Sequence, residues 1–143
     1  MSTDLPAWGR PSGWADVAWS QVSRPGRMCR VEHLVDLDVL AYRLQPAIEE
    51  WKRWATVGPL TWRDEHASWP QPITLDRSSV RVPESLGLTL RRGDDVFEAV
   101  VWTGGWADVG FLLDDEVYTF CPEFRGVDGA YEAVVKDVYD FLA

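Results

Sequence analysis

The chain has 143 residues, 46% of them hydrophobic and nine of them tryptophan, with a formal net charge of −9. That length and apolar content suit one domain with its own core and argue against global disorder. The charge is uneven: residues 94–143 hold twelve acids against only Arg125 and Lys136, while residues 1–93 are nearly balanced. Such an acidic segment repels nucleic acid and attracts basic partners, although a negative surface also serves solubility alone.

No apolar stretch approaches the ~20 residues needed to cross a bilayer. Residues 1–30 lack the continuous apolar segment of a secretory signal. Cys29 and Cys121 are the two cysteines and show no CxxC spacing. A cytoplasmic protein with reduced thiols and no membrane association is expected.

Residues 1–30 read as an irregular arm, with Trp8, Trp14 and Trp19 interrupted by Pro6, Pro11 and Pro25. Three tryptophans suit an arm packed on the domain better than a free tail. Residues 31–143 read as a single α+β domain. In 31–57, Leu37, Leu40, Leu44, Ile48, Trp51 and Ala55 recur at helical spacing. Pro46 either kinks this helix or opens a second one, and Gly58-Pro59 stops it. Next come candidate short strands at 60–63, 73–75 and 79–82, with a loop over 66–72 and Pro83 as terminator.

Residues 86–121 predict an antiparallel meander. Leu86, Leu88 and Leu90 alternate with Gly87, Thr89 and Arg91. Gly93-Asp94-Asp95 turns the chain into a strand over 96–103. Gly104-Gly105 reads as a two-residue hairpin loop, followed by a strand over 106–113. Asp114-Asp115 turns again into 116–121, and Pro122 ends the sheet. A final helix spans 127–142, with Asp128 as N-cap and Tyr131, Val134, Val135, Val138 and Leu142 as its apolar stripe. The expected fold is thus an antiparallel β-meander of four to five strands packed against an N-terminal helical segment and a C-terminal helix.

A two-residue loop at Gly104-Gly105 would pair Thr103 with Trp106 and assign the faces. One face would carry Val100, Trp102, Ala107, Val109, Phe111 and Leu113, extended by Tyr118 and Phe120. The other would carry Phe97, Ala99, Val101, Trp106, Asp108, Leu112, Val117 and Thr119. That second face is apolar enough to need a cover, either the N-terminal arm or a partner. Trp106 and Asp108, beside the hairpin tip, are its better exposed candidates for binding.

Catalytic chemistry finds no support in the residues. His33 and His66 lie far apart, without metal-ligand spacing, and there is no nucleophile elbow, P-loop or dinucleotide fingerprint. No metal or cofactor is expected. Asp94-Asp95 and Asp114-Asp115-Glu116 fall at predicted turns, where Asp is favoured for local hydrogen bonding. Cys121 lies in an apolar strand pattern with no evident base nearby.

The run Phe97-Glu98-Ala99-Val100-Val101-Trp102-Thr103-Gly104-Gly105, the Asp108–Asp115 strand and turn, and the amphipathic 127–142 helix resemble TriTu-type immunity proteins of bacterial polymorphic-toxin systems. The resemblance covers residues 36–142. It implies a non-enzymatic cytoplasmic inhibitor that binds a cognate intracellular toxin and occludes its active site; separately, the acidic charge of residues 94–143 suits a basic toxin. The contacts expected from the hairpin register and the turns are Trp106 and Asp108, with Asp94, Asp95, Asp114, Asp115 and Glu116 at the rim. The alternatives are a chaperone or adaptor for a secreted protein, or an enzyme of unrecognised type.

Overall fold

A computed structural model describes residues 32–143. The expected N-terminal arm lies outside the described residues. Helix α1 runs Leu37–Trp51 and opens on Asp36, whose side chain accepts from the Val39 amide at 3.1 Å. It continues through Pro46 as one helix. Proline removes the amide that would bond the Tyr42 carbonyl, but Tyr42 and Pro46 are exposed, so that carbonyl is not shut away from solvent. Leu37, Leu40, Ala41, Leu44, Ile48 and Trp51 form the buried stripe.

The helix ends earlier than its apolar spacing suggests. Thr56–Val57 forms strand β1 instead, paired with Leu90 and Arg91. Thr61–Asp64 forms β2, also on the flank of the next strand. The expected strand at 73–75 is reduced to one bridge, Trp62 to Thr74. The expected strand at 79–82 is a correction: Arg77–Ser79 is a short 3-10 turn capped by the Asp76 side chain. Asp64 fastens this region by accepting from the amides of Arg81 at 2.9 Å and His66 at 2.9 Å. Pro83 opens the long strand β3, Pro83–Arg92, where it had been expected as a terminator. A first strand residue can tolerate proline because its missing amide breaks no central ladder bond.

Strands β4 (Asp95–Trp102), β5 (Trp106–Leu113) and β6 (Glu116–Phe120) complete the meander. The sheet has six strands in the order β1, β3, β4, β5, β6, with β2 also on β3. Helix α2, Val127–Leu142, follows. Gly126 is its N-cap position, and Asp128 lies in the first turn and pairs with Arg43 of α1. This is the expected α+β architecture.

The β4–β5 connection has a different length from the one expected. Trp102 pairs with Trp106, so Thr103, Gly104 and Gly105 form a three-residue loop. Thr103 is drawn into the core: its amide donates to the Glu84 carbonyl, its carbonyl accepts from Leu34 and Val35, and its hydroxyl donates to the Val35 carbonyl at 2.9 Å. Gly105 has φ +105°, and a Cβ there would meet the Phe124 carbonyl at 2.7 Å. A one-residue shift exchanges the faces of one strand relative to its neighbour. The helix-facing row of β4 is therefore Phe97, Ala99 and Val101, while Val100 and Trp102 lie on the outer face with Trp106 and Asp108. For β5 the expected inward residues, Ala107, Val109 and Phe111, are the observed ones.

The core lies between that inner face and the two helices. Leu86, Leu88 and Leu90 of β3 join the β4 and β5 rows against α1 and against Ala130, Val134, Val138 and Phe141 of α2. Phe141 seals one end through ring contacts with Phe97 at 5.8 Å and Phe111 at 5.8 Å. Arg92 donates to the Leu142 carbonyl at 2.8 Å, placing a cation on the C-terminal end of the α2 dipole. Among the described residues, no helix is long and apolar enough to cross a membrane.

Candidate interaction surface

The residues expected at the binding surface separate into two groups at opposite ends of β5. The strand advances ~3.3 Å per residue, so Trp106 and Asp114 stand about 25 Å apart. One contiguous contact centred on both turns is therefore corrected to two distinct places.

The first place is the outer face beside the Thr103–Gly105 loop. Trp102 and Trp106 stack with centroids 5.7 Å apart and planes 14° apart. The Arg63 guanidinium lies 5.1 Å from the Trp102 ring, making a cation and two indoles in series. Asp108 accepts from the Trp102 indole N–H at 2.9 Å and from the Cys121 thiol at 3.3 Å. Val100 packs beneath, and Trp102 is only 1% exposed. Trp106 and Asp108 are half-buried, so neither is the freely exposed anchor the sequence suggested. A cleft of about 540 Å³ adjoins the loop, lined by Leu34, Trp106, Glu123, Phe124 and Arg125 among others.

The second place is the opposite end of the sheet. The β3–β4 turn carries Asp94 and Asp95, and the β5–β6 turn carries Asp114, Asp115 and Glu116. Their proximity is direct: the Asp114 amide donates to Asp95 Oδ1 at 3.2 Å. Asp94, Asp114, Asp115 and Glu116 are exposed and Asp95 is half-buried. The Glu116 carboxylate also accepts from the Tyr118 hydroxyl at 2.7 Å, and this bond holds the phenol above its usual pKa. Sequence reading found these acids as turn residues. It missed that two turns separated by a full strand pair would bring them together, which follows from the meander placing alternate turns at the same end.

Asp114 and Asp115 both have positive φ, 50° and 68°, the left-handed pair that a two-residue hairpin requires. Among the described residues, no group of three or more His, Cys, Asp or Glu side chains is placed to hold a metal ion. Comparison of the chain with protein-family models, curated proteins and solved structures finds no match.

Proposed function

We propose that this protein is an immunity-type inhibitor that binds and neutralises a basic intracellular toxin without performing chemistry of its own. The observation that carries the reading is the five-carboxylate end of the sheet, Asp94, Asp95, Asp114, Asp115 and Glu116, built on two adjacent turns joined by a hydrogen bond. Acids fixed on short turns pay little ordering entropy when a cation docks, and they steer a basic partner at long range. The likeness of the Phe97–Gly105 and Asp108–Asp115 segments to TriTu-type immunity proteins points the same way. Occlusion of a positively charged active site is the mechanism this surface suits.

The deciding experiment uses the purified product of the adjacent gene. Its toxic activity should fall on mixing with this protein, and association should slow steeply as salt rises. Neutralising all five acids to Asn or Gln should flatten that salt dependence. Full toxic activity at saturating inhibitor and low salt would sink the reading.

A chaperone for a secreted protein is the second reading, favoured by the exposed apolar side chains of β6, Val117, Tyr118 and Phe120. The two differ in what is bound. A chaperone holds an unfolded or pre-secretory segment, whereas an inhibitor binds the folded catalytic domain and stops its turnover.

A further inference from the structure

Strand β6 forms one edge of the sheet, and the turn before it sets its hydrogen-bonding phase. The Asp114-Asp115 loop closes on the pair Leu113–Glu116. A two-residue hairpin closes on a pair that exchanges both backbone bonds, and bonded and non-bonded pairs then alternate. Phe111–Tyr118 and Val109–Phe120 are therefore the bonded pairs. Two bonds further along agree with this phase: Ala107 donates to the Pro122 carbonyl, and Phe124 donates to the Gly105 carbonyl. Val117 and Thr119 consequently direct their amides and carbonyls away from β5. Among the described residues, no strand pairs with that side.

The two edges of the sheet are built differently. The opposite edge is broken into strands of two and four residues, with Gly58-Pro59 between them. Such interruption is how natural sheets prevent unwanted pairing. β6 has the sequence Glu-Val-Tyr-Thr-Phe, with no proline, lysine or bulge, and all five residues are exposed. Tyr118 and Phe120 point to the helix side, yet remain 44% and 42% exposed. Acids flank the strand, with Asp114, Asp115 and Glu116 at its start and Glu123 after its end. A second copy of this chain would meet that edge with the same acids and a net charge of −9 against −9.

We propose that β6 takes an extended, lysine- or arginine-bearing segment of a protein partner as a further strand. Main-chain bonds to Val117 and Thr119 supply affinity, Val117, Tyr118 and Phe120 receive alternate apolar side chains, and the flanking acids select for basic ones. The proposal rests on the reading of this chain as a protein-binding module and specifies which surface binds.

The test uses the full chain, isotope-labelled, with a capped peptide of alternating lysine and valine as probe. Saturating peptide should slow hydrogen exchange at the Val117 and Thr119 amides by on the order of tenfold or more. The same peptide with alternate backbone amides methylated, and a glutamate–valine peptide, should give no protection. Thr119→Pro replaces an outward amide, so it should abolish protection at Val117 while leaving the β5–β6 ladder and the melting temperature near wild type. The methylated peptide keeps the test valid if that variant fails to fold.

The proposal is overturned if the lysine–valine peptide does not bind, or binds without protecting these amides. It is equally overturned if the amides are already protected in the free chain. That result at all concentrations would mean that residues 1–31 hold the edge, and only at high concentration that a second copy does. Inhibition of the adjacent gene product without edge protection would sink this proposal alone. Edge protection without inhibition would sink the immunity reading alone.

Discussion

The indole N–H of Trp102 donates to the Asp108 carboxylate across the β4–β5 hairpin, while the ring of Trp102 stacks on Trp106. Asp108 is thus a structural acceptor on a half-buried face before it is a surface acid. Asp108→Ala leaves that indole donor without its carboxylate, and the expected cost is about 1–2 kcal/mol of stability. Asp108→Asn keeps an acceptor oxygen and should lose less. Denaturant titration of both variants checks this. An Asp108→Ala protein of unchanged stability that binds its partner less well would show the acid to be chiefly a contact residue.

The Asp114-Asp115 turn places two non-glycine residues at positive φ, where Asn-Gly is the favoured pair. Replacing Asp114 by Asn and Asp115 by Gly should stabilise the protein by about 0.5–1 kcal/mol. The same variant removes two of the five clustered acids, so partner association should slow. Thermal melts and association rates, measured on one preparation, read both effects. Faster association would remove the turn from the binding surface.

Phe141 joins α2 to the sheet through Phe97 and Phe111, and it is 1% exposed. Phe141→Ala should cost about 3–5 kcal/mol, from lost burial and a residual cavity. Val117→Ala, on the exposed edge strand, should change stability by no more than about 0.5 kcal/mol. Equal effects from the two would contradict the assignment of the core to the helix side.

Asp64 gives a pH-dependent term. Partial burial works to raise its pKa, but the amides of Arg81, His66 and Val82 outweigh that and hold it below the ordinary value of 3.8. A folded-state pKa below the unfolded one contributes stability above the unfolded pKa, lost as pH falls through the folded one. Asp64→Ala should therefore be destabilising by about 1–2 kcal/mol near neutrality. The gap to wild type should narrow as the pH drops below 3.8. A gap that widens with acid would reverse the sign of the argument.

Much of the fold was legible because it is locally encoded. The bounds of β5 and α2, the Asp114-Asp115 turn and the inward row of β3 follow from periodicity and turn residues within a few positions of one another. The end of α1 was not legible, because Ala55 continues the helical spacing while Thr56 and Val57 are taken by pairing with β3. The acidic residues were visible one turn at a time, and their assembly at one end of the sheet required the register of two hairpins.

The sequence by itself determined an α+β meander flanked in the chain by two amphipathic helices, with acids on its turns and final helix and its net charge in the last fifty residues. Only the tertiary structure decided which face of β4 is the core. That choice depends on one residue, Thr103, and its bonds reach Leu34, Val35 and Glu84. Bonds of such long sequence separation turn a two-residue loop into a three-residue one. Because side chains alternate along a strand, that single step reverses the faces and places Trp102 beside Trp106 and Asp108.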